Sequence, residues 1–199
     1  MSSRPKRRMK ADHRRRQLLE VARRAFGRPG PEVPSLDDIA AEAGVTKPVL
    51  YQHFKSKQEL YDTIVEEEMR EIMKRMVPEL RSGSPRETLE NAAAAFLAYL
   101  EERPDGFSAF ASQTPINWFS DDRVGELRRD FHKAVVTLMA TELRDAGLEV
   151  DDVAPVLAHA AIGTWTYVGQ WWVQTRSVPA EKVARIMASI AWRGIRSPP

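Results

Sequence analysis

The sequence predicts an all-α protein of about nine helices. Three observations carry this. Apolar residues recur at i, i+3 and i+4 along most of the chain, and no run alternates in the manner of a half-buried strand. Helix-starting residues stand ahead of these runs, as at Ser35, Thr46 and Ser56. Glycine and proline punctuate the gaps between them, densest at Gly27–Pro34, Arg81–Pro85 and Pro104–Gly106. No internal repeat or low-complexity block is present.

Residues 1–13 read as a flexible basic arm. The first helix is expected from Arg14 to about Phe26, with Leu18, Ala22, Ala25 and Phe26 on one face. The stretch GRPGPEVP then enforces a loop. Ser35 is placed to accept from orphan backbone N–H groups of a second helix, and Asp37 and Asp38 in its first turn complement the helix dipole. That helix is short, turns Leu36, Ile39, Ala40 and Ala43 inward, and ends at Gly44. Thr46 is the expected N-cap of the third helix, and Pro48 fits its first turn, where an N–H has no intrahelical partner. It is expected to reach about Phe54, with Leu50 and Phe54 buried at i and i+4.

Ser56 with Glu59 three residues on forms a capping box for a long fourth helix over about Lys57–Val77, which Pro78 closes. The RSGSP linker at Arg81–Pro85 is read as the domain boundary, giving an arm at 1–13, an N-terminal domain at 14–80 and a C-terminal domain at 81–199. Beyond the linker, helices are expected over Pro85–Arg103, Phe107–Gln113, Asp121–Ala146, Asp151–Thr175 and Pro179–Ile195. The fourth of these is apolar almost all round, which argues for burial on two sides.

Composition narrows the function. The chain has 199 residues and no cysteine, which excludes disulfide frameworks, thiol catalysis and cysteine metal sites. The longest apolar stretch, Asn91–Leu100, is too short to cross a bilayer. The basic first residues lead into no apolar segment, so no signal peptide and a cytoplasmic location are expected. Net charge is only +2, yet residues 1–28 carry eleven Lys and Arg against Asp12 and Glu20. A basic end on a near-neutral body suits a polyanion.

The second and third helices, with Gly44 in the turn between them, have the helix-turn-helix pattern whose second helix enters the major groove. If Val45, Leu50 and Phe54 face inward, the opposite face shows Thr46, Lys47, Pro48, Tyr51, Gln52 and Lys55. A charge, an amide and a phenol suit base edges and phosphates. Lys57, beside Ser56 at the next helix start, adds an anion site.

The run from Phe26 through Ser35-Leu-x-x-Ile39-Ala40, Ala43-Gly44-Val45-Thr46, Leu50-Tyr51-x-His53-Phe54 and Ser56-Lys57-x-x-Leu60 resembles the DNA-binding domain of the TetR family of bacterial transcriptional regulators. The resemblance covers about residues 14–62. It implies base reading by Lys47, Pro48, Val49 and Gln52, phosphate contacts by Tyr51, His53 and Lys57, and a backbone phosphate contact at the Ser35 cap. In place of the family's usual Gly and aromatic residue in the first loop, this chain has Pro29–Pro31.

The resemblance further implies dimerisation through the last two helices and an effector pocket in the C-terminal half. The expected lining is Phe110, Trp118, Phe131, Val135, Trp165 and Trp172, an apolar set suited to a largely hydrophobic small molecule. The function expected is a ligand-responsive repressor that binds a palindromic operator in double-stranded DNA as a homodimer. It needs no cofactor and has no membrane partner. A DNA-binding protein without effector sensing, a helical enzyme, and an interaction or membrane-surface module are the alternatives. No nucleophile–base pair or metal-ligand spacing supports an enzyme. His132 and His159 lie on helices far apart, each without a His or carboxylate at i+4, so no metal site is expected there.

Overall fold

The computed structural model describes residues 4–28, 34–79, 84–112, 123–145, 147–148 and 150–196. These residues form nine α-helices and no strand. They are α1 Arg4–Gly27, α2 Leu36–Glu42, α3 Lys47–Tyr51, α4 Lys57–Glu79, α5 Pro85–Glu102, α6 Pro104–Ala111, α7 Arg123–Asp145, α8 Val153–Thr175 and α9 Ala180–Arg196. The Pro29–Pro31 loop, Arg81–Gly83 of the linker, the expected α7 start at Asp121, and Trp118 lie outside the described residues.

Several boundaries differ from the sequence expectation: α3 ends at Tyr51 rather than about Phe54, α4 runs through Pro78 to Glu79, and α6 begins at Pro104 rather than Phe107. The expected arm at 1–13 is helical from Arg4 onward, continuous with α1. Pro5 falls in the first turn, where it is tolerated, and the Lys, Arg, Met and Ala that follow are good helix formers. The chain divides into two compact units, one of Met1–Glu68 with Asp105–Gln113 and one of Met69–Pro104 with Thr114–Pro199. The division therefore falls inside α4 rather than at the linker, and most of α6 belongs with the N-terminal unit. Proline in a first or last turn and glycine within a helix need not stop it, as Pro78, Pro104 and Gly106 show, and the linker does not mark where a packing unit stops.

The N-terminal unit is built on Leu18, Ala22, Ile39, Leu50, Phe54, Leu60 and Ile64, all fully buried. Each large side chain among them stabilises the fold by roughly 1.5–3 kcal/mol. The Phe26 and Tyr61 rings meet edge to face at 5.4 Å, and the Tyr61 hydroxyl donates to the Ala109 carbonyl of α6 at 3.3 Å. A charged cluster lies within this core. Arg23 Nε donates to Glu68 at 2.7 Å and Nη1 to Glu20 at 2.7 Å, while Nη2 reaches Glu67. Arg23 and Glu68 are both buried. A Cβ on Gly106 would lie 2.5 Å from the Glu68 carboxyl carbon, so only glycine lets the first turn of α6 lie against that carboxylate.

In the C-terminal unit α5 lies along α9 and α7 along α8. Ser84 and Glu87 form the capping box of α5. The α8 helix ends on Arg176 in the left-handed conformation, φ 47°. That residue is held there by stacking on the Trp172 ring at 4.1 Å and by donation from Nη2 to the Leu100 carbonyl at 3.2 Å.

Removing one member of a buried ion pair leaves the other without its counter-charge. Arg23→Leu is expected to lower the unfolding free energy by about 3–5 kcal/mol, read from urea denaturation. A loss below about 1 kcal/mol would show that the Arg23–Glu68 pair is dispensable to the core.

Candidate nucleic-acid interface

The α2 and α3 helices have seven and five residues. Neither is long enough to form alone, because nucleation is unfavourable and propagation over one or two turns does not offset it. Their ends show what holds them. Ser35 Oγ accepts from the Asp38 N–H at 3.2 Å, and Asp38 Oδ2 accepts from the Ser35 N–H at 2.9 Å, a reciprocal capping box. The Ser35 hydroxyl and backbone bonds hold the exposed Asp38 carboxyl below its ordinary range. Gly44 turns the chain at φ 66°, in the left-handed region that glycine enters without a Cβ penalty.

The carboxyl ends of both short helices are satisfied from α1. Gln17 Nε2 donates to the Ala43 carbonyl at 3.1 Å, and Arg15 Nη1 donates to the His53 carbonyl at 3.3 Å. The same guanidinium sits 4.3 Å from the Phe54 ring centroid. One helix thus fastens the ends of the other two. At the next helix start, Ser56 Oγ accepts from the Glu59 N–H at 3.0 Å, while Glu59 Oε2 takes the Lys55 N–H at 2.7 Å.

With Leu50 and Phe54 buried, α3 and its flanks expose Thr46, Lys47, Pro48, Tyr51 and Gln52 together. Thr46 occupies the N-cap position, but its side chain makes no capping hydrogen bond. Val49, His53 and Lys57 are half-buried and Ser35 is exposed. Each expected base-reading and phosphate-contacting residue is thus at least partly exposed, with Val49, His53 and Lys57 set deeper than the rest. Burial, with Arg15 and Arg14 nearby, pushes the His53 imidazole below its ordinary pKa.

One feature of this surface was missed from the sequence. Lys47 Nζ lies 2.9 Å from each carboxylate oxygen of Asp37, across the turn from α3 to α2. Both side chains are exposed.

The expected ligand set is less coherent. Phe110 belongs to α6 in the N-terminal unit, where its ring lies 6.1 Å from that of Phe107. Phe131 and Val135 are half-buried on α7. Trp165 meets Phe96 of α5 at 5.6 Å. Trp172 is buried and occupied structurally: its Nε1 donates to the Val178 carbonyl at 2.7 Å, beneath Arg176. The structure also buries Arg128 on α7, a cation amid the face expected to be apolar.

The expectation for His132 and His159 is corrected. Antiparallel packing of α7 and α8 brings His132 Nε2 within 3.0 Å of His159 Nδ1, and the latter also meets the Pro155 carbonyl at 2.9 Å. The i+4 test inspects one helix at a time and cannot register a pair across two. Two imidazole nitrogens are fewer ligands than a structural zinc site uses. Among the described residues, no group of three or more His, Cys, Asp or Glu is placed to hold a metal ion. Nor is any described helix long and apolar enough to cross a membrane.

Two short helices about a glycine turn, the first closed by a capping box and the second with a polar exposed face, define a helix-turn-helix DNA-binding domain. Residues 18–64 match the family described as bacterial regulatory proteins, tetR family. The chain is 29% identical to the HTH-type transcriptional activator FasR of Mycolicibacterium smegmatis, over 96% of this chain and 87% of that protein. It is 24% identical to the HTH-type transcriptional repressor KstR2 of Rhodococcus jostii, over 93% of this chain and 92% of that protein. Its fold matches the crystal structure of a TetR-like transcriptional regulator from Rhodococcus sp. RHA1, with a TM-score of 0.73, 26% identity, and coverage of 92% and 95% of the two chains. The chain is thus similar, in its helix-turn-helix domain and along most of its length, to regulators of the TetR family.

The lowered His53 pKa has a stability consequence. The unfolded chain binds the imidazole proton more readily than the native chain, so stability rises with pH through this window. The contribution is complete above the unfolded value near 6.5 and lost as pH falls below it. His132, lowered by burial and by His159, acts in the same direction. His53→Gln is expected to shrink the fall in urea midpoint between pH 7 and pH 5; an unchanged fall would remove His53 as its source.

Proposed function

We propose that this DNA-binding regulator seats α3 in the major groove, binds a palindromic operator as a homodimer, and is released by a largely apolar small molecule. The observation that carries the reading is the exposed face of Lys47, Pro48, Tyr51 and Gln52, presented by helices too short to exist without α1. Gln52 has the amide for a bidentate contact to adenine, and Lys47 the ammonium for guanine acceptors. Pro48 and Val49 offer apolar contact to a thymine methyl. Tyr51, His53, Lys57 and the Ser35 cap are assigned to phosphates, where they set register rather than sequence choice. Eight Lys and Arg between Arg4 and Arg16 add attraction that is independent of sequence.

Dimerisation is supported by a line that the single chain leaves open. Val156, Ala160, Gly163, Tyr167 and Trp171 are exposed along α8, Tyr167 by 76%, and Ile186 and Ile190 are exposed on α9. Apolar surface of this extent suits a second copy. Two copies would set their recognition helices one turn of DNA apart, about 34–36 Å, which makes the operator palindromic.

Repression needs no surface beyond these, since a dimer seated over a promoter excludes polymerase. The relatives include proteins named as an activator and as a repressor, and activation would require a further contact. Effector sensing is assigned to the C-terminal unit around Trp165, Phe131 and Val135. A ligand that favours a conformation poor at binding DNA lowers affinity by population shift. The cytoplasm is the compartment such a function requires. Catalysis is not proposed: the relatives named above are transcriptional regulators.

Selection from random duplexes is expected to yield a palindrome bound by two copies. Lys47→Ala with Gln52→Ala should weaken its binding by roughly 1–3 kcal/mol per base contact and relax sequence choice. Unchanged affinity and choice would displace the recognition surface from α3.

Hydrophobic compounds that bind beside Trp165 are expected to shift its emission saturably and to release the selected duplex over the same concentration range. If no compound in a broad apolar panel alters DNA affinity, the C-terminal unit serves dimerisation alone.

A further inference from the structure

We infer that Asp37 is a specificity-determining residue that acts through Lys47: it holds the lysine as a neutral ion pair, so that this side chain selects sequence rather than adding indiscriminate attraction to DNA. The inference rests on the reading of α3 as the recognition helix.

Asp37 takes no part in the capping box of α2; its contribution there is limited to the helix dipole. The capping box uses its neighbour Asp38, whose carboxylate takes the Ser35 N–H and hydroxyl. Asp37 instead projects from the first turn of α2 toward the start of α3, and both its oxygens stand 2.9 Å from Lys47 Nζ. The side chains are 61% and 55% exposed, so neither is placed there by burial. An exposed pair of this kind contributes little to folding, typically 0–1 kcal/mol. A carboxylate on a DNA-facing surface also opposes phosphate. Both considerations leave folding a poor explanation for the pair.

Lysine is a flexible point charge with three donors. Left alone, it follows the nearest phosphate and contributes one charge to binding any duplex. Paired with Asp37, it brings almost no net charge to the surface. Its remaining N–H donors then point from a defined place. Such a group gains little from a phosphate in general and most from an acceptor at the right position on a base edge. If Lys47 were to leave for a phosphate, it would strand Asp37 beside the same polyanion.

The test uses the full-length chain, the duplex selected by the wild type, and a scrambled duplex of equal length. Asp37→Asn keeps the size of the side chain and leaves the Ser35–Asp38 box intact. It is expected to raise affinity for the scrambled duplex more than for the selected one, lowering their ratio by about five- to tenfold. The slope of log affinity against log salt on the scrambled duplex should steepen by up to about 0.9 as Lys47 becomes free to neutralise a phosphate. In a Lys47→Met background, Asp37→Asn should leave the ratio unchanged, because the effect passes through the lysine. Equal gains on both duplexes would reduce Asp37 to a generic repulsive charge and overturn the inference. An equal loss of ratio in the Lys47→Met background would do the same, by showing that Asp37 acts without the lysine. If Gln52→Ala also leaves recognition of the selected duplex untouched, the assignment of α3 itself fails and carries this inference with it; retained sensitivity at Gln52 confines the failure to the ion pair.

Discussion

The placement of α2 and α3 depends on α1 holding their carboxyl ends. A helix of five residues has almost no internal hydrogen bonding to offset the entropy of ordering it. Leu50 and Phe54 supply its burial, but burial alone leaves rotation about the helix axis loosely specified. The hydrogen bonds from Arg15 to the His53 carbonyl and from Gln17 to the Ala43 carbonyl are directional and remove that freedom. Because both donors sit within one turn of a single helix, the relative placement of α2 and α3 is tied to the geometry of α1. Recognition at the level of a base edge tolerates errors of only a fraction of an ångström, so this constraint matters more than its modest energy suggests.

Electrostatics inside the N-terminal unit follows another rule. Arg23 is buried among Glu20, Glu67 and Glu68, an arrangement that adds little net stability over an apolar replacement of the same shape. What it contributes is definition. A guanidinium presents its donors in a fixed fork, so three carboxylates from α1 and α4 can meet it in only one register. Hydrophobic packing between the same helices would tolerate sliding. The cluster therefore fixes how α1 lies against α4, and α1 in turn positions the recognition surface.

Local physics made much of this legible in the sequence. Ser35, Gly44 and Ser56 each act within three or four residues of themselves, and each stands where capping and turn chemistry placed it. The buried line of α1 and the pair Leu50 and Phe54 followed from helical period alone. Features made by residues distant in sequence were not legible. Arg15 and Gln17 looked like two more members of a basic arm and its helix, not caps for other helices. Asp37 read as a dipole-complementing residue, with nothing to connect it to Lys47. His132 and His159 were judged one helix at a time and met across two. The apolar character that places Trp172 among the expected pocket aromatics carries no information about Arg176 folding back over its ring. Arg128, buried on α7, is a charge for which the apolar periodicity gave no place.

A dimer closed along the open line on α8, as proposed above, would tie the protein's behaviour to its own abundance. Gly163 sits at the middle of that line with nothing within 4 Å of where a Cβ would stand, a helical position that glycine weakens by about 1 kcal/mol relative to alanine. The single chain thus tolerates a weak point that a closely approaching second helix would make useful. When the folded form is completed by a second copy, its stability becomes a mass-action quantity that rises with concentration. At low copy number, operator occupancy then scales with the square of the chain's concentration rather than linearly. A dimeric regulator of this design would respond steeply to its own dosage, so that halving its expression would cost more than half of its occupancy.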